Sequence, residues 1–224
     1  MEEFFAKNLT HTLKIGLEQI VREEYEMICL KKIFESPLGK KLIFKGGTAL
    51  RLSYQSPRFS DDLDFSAKGK IRPAELKQIL LDLCSQFPQA KLEEFYSKKF
   101  TIFALLRIKE AFMNYSFSLK LEISTRPEDW KINKNFILKV ISSDTSNISV
   151  LSQTASLEHV LQDKYDALKR RKKPRDFFDI WYVSQLLKKN ATLDFSQIDK
   201  KQLIQELHKY LPRNYWRVIE SWKK

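Results

Sequence analysis

Apolar residues recur at helical spacing between Leu9 and about Phe34, at Leu13, Leu17, Ile20, Val21, Tyr25, Ile28, Leu30 and Ile33. That period predicts one or two structural helices at the start of the chain. A short apolar run at Lys41–Lys45 reads as a buried strand, Thr48–Tyr54 as a short helix, and Asp62–Ser66 as a second strand. Pro73 to Phe87 predicts an amphipathic helix, with Pro73 in its first turn and Leu76, Ile79, Leu80 and Leu83 on one face. Runs rich in β-branched and aromatic residues follow at 91–97, 100–108, 116–124 and 136–142, the pattern of an antiparallel or mixed sheet. From about residue 150 the pattern turns helical again, at 156–171, 175–189, 199–210 and 213–222, with Ser156 placed to cap the first of these. The expectation is an α+β fold, a mixed sheet with flanking helices over residues 1–150 and a helical region over 151–224. No Gly/Ser linker separates the two, so a shared cleft is expected.

The chain has 224 residues, 43% of them hydrophobic and 12% aromatic, enough to bury a sizeable core. Its formal charge is +12, which points to a polyanionic partner. No stretch approaches the roughly 18 apolar residues that a membrane helix needs, and the Met1-Glu2-Glu3 start lacks a basic leader, so a cytoplasmic location is expected. Cys29 and Cys84 form neither a CxxC nor a Cys/His cluster and read as core thiols. His11, His159 and His208 adjoin no nucleophile that would make a hydrolase triad.

Only five glycines occur, and two of them are adjacent in Phe44-Lys45-Gly46-Gly47-Thr48-Ala49-Leu50. A glycine pair between a strand and a helix is either an ordinary tight turn or a phosphate cradle, because a helix start presents free backbone N–H groups and the positive dipole end. About fifteen residues on, Asp62 and Asp64 flank Leu63. In a strand this spacing sends both carboxylates to one face while Leu63 and Phe65 enter the core. Two like charges so held are unfavourable unless a cation lies between them, and Mg²⁺ or Mn²⁺ is the natural oxygen-liganded partner; a solvated acidic loop is the bland alternative. The alternation in Ser118–Ser124 places Glu122 opposite the core face, as a third metal ligand or a plain surface residue.

These segments, with Arg58-Phe59-Ser60-Asp61-Asp62-Leu63-Asp64-Phe65, Lys164 to Leu168, and Arg175-Asp176-Phe177-Phe178-Asp179, resemble the AbiEii/AbiGii-type toxin nucleotidyltransferases of the DNA polymerase β-like superfamily. The turn carries Gly-Thr where the superfamily pattern has Gly-Gly or Gly-Ser. The resemblance spans about residues 40–185. It implies a nucleotidyltransferase fold in which Asp62 and Asp64 hold catalytic Mg²⁺, Gly47 and Thr48 contact the phosphates of an incoming NTP, and Lys164 and Asp179 come from the helical region to close the site. Lys45, Gly46 and Arg58 join the nucleotide-binding candidates; Lys45 and Arg58 either hold phosphates or balance Asp61. Asp176 lies three residues before Asp179 on the same helix face and is the alternative acid. The resemblance further implies transfer of NMP to an RNA acceptor such as the tRNA 3′ end, and a cognate antitoxin. Nucleotidylation of a protein is an alternative within the enzyme class.

Lys169 to Arg175 holds six basic residues in seven, at the junction between the helices carrying Lys164 and Asp179. It is either a solvated turn or a landing place for a phosphate backbone. The C-terminal segment mixes Lys209, Arg213, Arg217, Lys223 and Lys224 with Tyr210, Tyr215, Trp216 and Trp222, aromatics that either stack on nucleotides or pack a terminal helix. A catalytically silent, basic nucleic-acid-binding module is therefore the alternative from a different class.

Overall fold

The structure, a computed structural model, describes residues 1–196 and 198–223; Lys224 of the basic tail lies outside them. Two helices open the chain, α1 (Glu3–Leu13) and α2 (Leu17–Phe34), separated where Lys14 takes the left-handed conformation. Strand β1 (Leu42–Lys45) runs straight into α3 (Gly46–Tyr54) and returns as β2 (Asp62–Ala67). After α4 (Pro73–Gln86) come β3 (Ala90–Lys98), β4 (Thr101–Ile108), β5 (Phe117–Ser124), β6 (Phe136–Ser143) and β7 (Ser146–Ala155). The chain then forms α5 (Leu157–Arg171), α6 (Pro174–Leu186), α7 (Lys200–His208) and the short α8 (Trp216–Glu220), the last flanked by 3₁₀ turns.

The seven strands form one mixed sheet in the order β3-β4-β5-β2-β1-β7-β6. Strands β1 and β2 pair antiparallel, whereas β2 with β5 and β1 with β7 pair in parallel. The alternation of each strand then divides the molecule. Leu42 and Phe44, Leu63 and Phe65, and Leu119, Leu121 and Ile123 pack with α2 and α4 in the main core. Ile43, on the opposite face of β1, packs with Leu50, Val160 and Val183 in a second cluster that joins α3, α5 and α6 to the sheet. A third cluster, around Phe177, Phe178, Leu207 and Ile219, gives the C-terminal helices a core of their own.

Strand β7 departs from the sequence expectation, which turns helical near residue 150. It is an interior strand, yet its inward positions after Val150 are Ser152 and Thr154, both fully buried. Their hydroxyls satisfy one another at 2.7 Å, Thr154 also meets Ser53 at 3.2 Å, and Ser152 donates to the Lys139 carbonyl. A buried strand whose inward side chains are small hydroxyls carries no hydrophobic period. The expected helix at 213–222 is shorter, α8 spanning only Trp216–Glu220. The Trp216 indole N–H donates to the Leu211 carbonyl, and Trp222 packs with Phe178, Trp181 and Phe195. Cys29 is buried, burial pushing its thiol pKa up, and Cys84 is partly buried; neither is in a disulfide.

Candidate active site

Strand register assembles the site. Lys45 of β1 lies opposite Asp64 of β2, and Asp64 lies beside Glu122 of β5, so one row of side chains crosses three strands. One step along, Asp62 pairs with Lys120. Leu63 and Phe65 are buried on the far face, as the acid–apolar–acid spacing predicts.

The two glycines have separate reasons to be glycine. Gly46 has φ +82°, and a Cβ there would lie 2.5 Å from Asp64 Oδ2, so only the missing side chain lets the helix start and the carboxylate share the space. A Cβ on Gly47 would collide with the Arg58 guanidinium and lie 2.6 Å from Ser60 Oγ. The turn is therefore packed against the acid it precedes and against an arginine beneath it.

That arginine is a correction to the sequence reading. Arg58 is 2% exposed and forms a two-pronged pair with Asp179, Nε to Oδ1 at 2.7 Å and Nη2 to Oδ2 at 2.8 Å, while Nη1 donates to the Phe59 carbonyl. It neither balances Asp61 directly nor presents its charge to the cleft. Asp61 is instead met by Tyr210 at 2.6 Å and by Arg22 and Arg175, each at 3.5 Å. Thr48 is likewise enclosed: its hydroxyl donates to the Asp62 carbonyl at 2.6 Å, fastening α3 to β2, which leaves backbone N–H groups rather than the hydroxyl as what the turn can offer a phosphate.

Lys164 rises from α5 into the same space, and α6 holds it from below. Its ammonium lies 2.6 Å from Asp179 Oδ2 and 3.1 Å from Asp176 Oδ1, and both carboxylates are wholly buried. Asp176 also takes a two-pronged pair from Arg171. Asp176 and Asp179, three residues apart on α6, thus both grip one lysine. Burial alone would push the Asp179 carboxyl up, but the charges of Arg58 and Lys164 and their hydrogen bonds outweigh it and hold its pKa down at about 2. Asp176 is lowered too, with burial opposing and Lys164 and Arg171 prevailing.

Asp64 behaves in the opposite way. Among the described residues its carboxylate has no hydrogen-bond or ion-pair partner, and its pKa is raised, first by burial and then by the charge of Asp62, with Lys120 and Lys164 only partly offsetting this. Lys120 pairs with Asp62 at 3.1 Å and approaches Glu122 at 3.8 Å. Nothing in the sequence alone marks it, although it shares the outward face of β5 with Glu122. Because Lys120 lies between them, the three expected metal ligands do not converge on one point; among the described residues no three acidic, His or Cys side chains form a ready cluster. The donor set nonetheless suits a hard divalent cation: adjacent carboxylates on one sheet face, one of them unpaired.

Lys45, Gly46, Asp64, Glu122, Asp163, Lys164, Arg170 and Arg171 line a cavity of about 430 Å³. Lys45 enters it paired to Asp163 at 3.0 Å. Three larger hollows, of about 1070, 890 and 530 Å³, lie among other residues and contain none of the acidic strand.

A glycine turn opening a helix, an acid–apolar–acid strand beside it, and a lysine delivered by a later helix define a nucleotidyltransferase. The model of the nucleotidyl transferase AbiEii toxin family, of type IV toxin–antitoxin systems, matches residues 28–215, and the chain belongs to that family. Membership implies an antitoxin partner and a nucleotide substrate. Among solved structures, JHP933 from Helicobacter pylori is 21% identical with a TM-score of 0.58, the match covering 86% of this chain and 74% of that one. MenT4, the nucleotidyltransferase toxin Rv2826c from Mycobacterium tuberculosis H37Rv, is 16% identical with a TM-score of 0.55, over 84% of this chain and 63% of that one. At these identities the likeness is one of fold. No curated protein matches the chain. Among the described residues no helix is long and apolar enough to cross a membrane.

Proposed function

We propose that the protein transfers a nucleoside monophosphate from an NTP to the 3′ end of an RNA, with tRNA the acceptor, and that Asp62 and Asp64 supply the oxygen donors for Mg²⁺ or Mn²⁺, with Glu122 beside them on the same sheet face. The observation that carries this reading is Asp64: an unpaired carboxylate with a raised pKa, packed against the helix-opening Gly46, in the cavity that Lys164 enters. Burial and the charge of Asp62 disfavour its charged form, Lys120 and Lys164 only partly offset this, and a divalent cation there would favour it further.

When bound, the divalent cation stabilises charge on the attacking and leaving oxygens. The chain's own residues do the rest. Backbone N–H groups at the start of α3 face the phosphates, and Lys45 adds a cation at the same rim. The acceptor hydroxyl oxygen forms a bond to the α-phosphorus and gives up its proton to solvent as the α–β bridging P–O bond breaks, and that bond's electron pair leaves with pyrophosphate. Lys164 has two of its three N–H directions engaged by Asp176 and Asp179, so the third is the one available to the departing phosphate oxygen. Asp176, Asp179 and Arg58 are positioning residues, since each acts through Lys164 or through its holder.

The test is label transfer. Purified protein incubated with Mg²⁺, each labelled NTP and total tRNA should label RNA, and Asp62→Ala should abolish the signal while leaving the circular dichroism spectrum unchanged. Label appearing on protein alone would favour nucleotidylation of a protein. RNA binding without transfer of any NTP would leave a basic binding module.

A further inference from the structure

The end of α1 and the C-terminal helices enclose an open trough of about 1070 Å³, apart from the cavity of the acidic strand. Lys14, Lys209, Arg213 and Arg217 line it together with His11 and His208, and no Asp or Glu does. Lys14, Lys209, Arg213 and Arg217 are exposed, and none of the four has a side-chain hydrogen bond, ion pair or ring contact among the described residues. Some cations of this chain are paired with acids, as Arg51 with Glu23, Arg107 with Glu93 and Arg171 with Asp176, whereas these four share one hollow with no acid lining it. Four unanswered charges around one hollow repel each other, and an anionic ligand relieves that repulsion.

The trough is also held in shape. The Arg213 N–H donates to the Lys14 carbonyl at 3.2 Å, tying one wall to the other. On the inner side Trp216 stacks on His208 at 4.0 Å between ring centres. The same segment is fastened to the acidic strand. Next to Lys209, the Tyr210 carbonyl accepts from the Phe59 N–H and the Tyr210 hydroxyl donates to Asp61, the residue before Asp62, while Arg175 of the basic run lies over the Tyr210 ring. The trough is therefore fastened, through Tyr210, to the strand that carries Asp62.

We propose that this trough binds the phosphodiester backbone of the RNA acceptor, an inference that rests on the RNA reading above and adds the surface that grips the acceptor away from its reacting end. Arginine and lysine heads beside a partly exposed indole suit a strand of alternating phosphates and flat bases better than an acidic peptide, which has nothing to stack. The volume is at the upper limit of a small-molecule pocket, and an open trough suits a chain that continues past it.

The experiment is fluorescence anisotropy of labelled tRNA against KCl concentration, without NTP, using the full chain and the triple variant Lys14→Gln, Arg213→Gln, Arg217→Gln. Each lost phosphate contact should lower the slope of log K against log salt by about 0.7 to 0.9, so the triple variant should lose about two units of slope and bind at least about tenfold more weakly at 0.1 M salt. Arg213→Lys with Arg217→Lys, which keeps the charge, should bind within about threefold of wild type; this separates charge from packing. In the labelling assay the triple variant should show a raised KM for tRNA and an unchanged kcat. Wild-type-like slope and affinity in the triple variant, with transfer intact, would overturn the trough alone. Equal competition by polyglutamate of matched charge would overturn it in favour of an acidic protein ligand. Wild-type protein that neither binds nor labels RNA would overturn both this inference and the acceptor reading beneath it.

Discussion

Replacing Arg58 with Met should destabilise the protein far more than a surface charge would, because the guanidinium and its Asp179 partner are 2% and 0% exposed. Removing one member of a buried pair leaves an uncompensated charge, which costs roughly 3–5 kcal/mol. Here Lys164 stays 2.6 Å from Asp179, so the loss belongs near the lower end, about 3 kcal/mol. In a chain of this size that is about 6–12 °C in Tm. Removing both partners, as Arg58→Met with Asp179→Leu, should recover part of the loss. The pH dependence follows from the direction of the shift. Asp179 has its carboxyl lowered from 3.8 to about 2, so its contribution is fully present above the unfolded value and is lost as pH falls through the folded one. That difference is worth about 2 kcal/mol, and it should vanish between about pH 4 and pH 2 in wild type but far less in the double variant. Urea unfolding followed by far-UV circular dichroism at pH 7 and across the acid range measures both quantities. A cost below about 1 kcal/mol for Arg58→Met at pH 7 would refute the claim that Arg58 is a buried tether.

Two further outcomes concern the acidic strand. Asp64→Asn should raise Tm while abolishing transfer: the folded pKa lies above the ordinary value, so the fold disfavours the charged form, and a neutral isostere removes that cost; an unchanged or lowered Tm in thermal unfolding at pH 7 would contradict it. Lys120→Met should tighten Mn²⁺ binding, read by calorimetry or electron paramagnetic resonance without NTP, because the ammonium 3.1 Å from Asp62 competes with the ion. A unit-charge repulsion of about 1 kcal/mol, the value near 4 Å even in water, predicts roughly a fivefold gain, and weaker Mn²⁺ binding would mean that Lys120 organises the ligands instead.

The parts of this molecule that were legible in the sequence are those where one period or one special residue type dominates. The alternation of Asp62-Leu63-Asp64-Phe65 fixed which side chains face out, and Pro73 and Ser156 marked helix starts that the structure keeps, Ser156 accepting from the His159 N–H at 3.4 Å. Strand β7 is hidden because hydroxyls, not hydrocarbons, fill its inward positions beyond Val150, at Ser152 and Thr154. The site was legible as a set of residues but not as a division of labour. Arg58, Thr48 and Asp179 carry functional groups of the right kind, yet each is turned inward onto a partner 14 to 121 residues away, a pairing that no local spacing encodes. Lys120 is hidden for the converse reason: a lysine on an exposed strand face looks ordinary until the parallel β2–β5 register sets it beside Asp62.

The central claim, that the carboxylates of β2 and the lysine of α5 serve nucleotidyl transfer to RNA, is tested most directly by the intact mass of a tRNA pool incubated with all four NTPs and Mg²⁺. Wild-type protein should add the mass of one or more nucleoside monophosphates, and Asp64→Asn should add none. Unchanged tRNA masses with active, folded wild-type protein, or equal additions by the variant, would contradict the account.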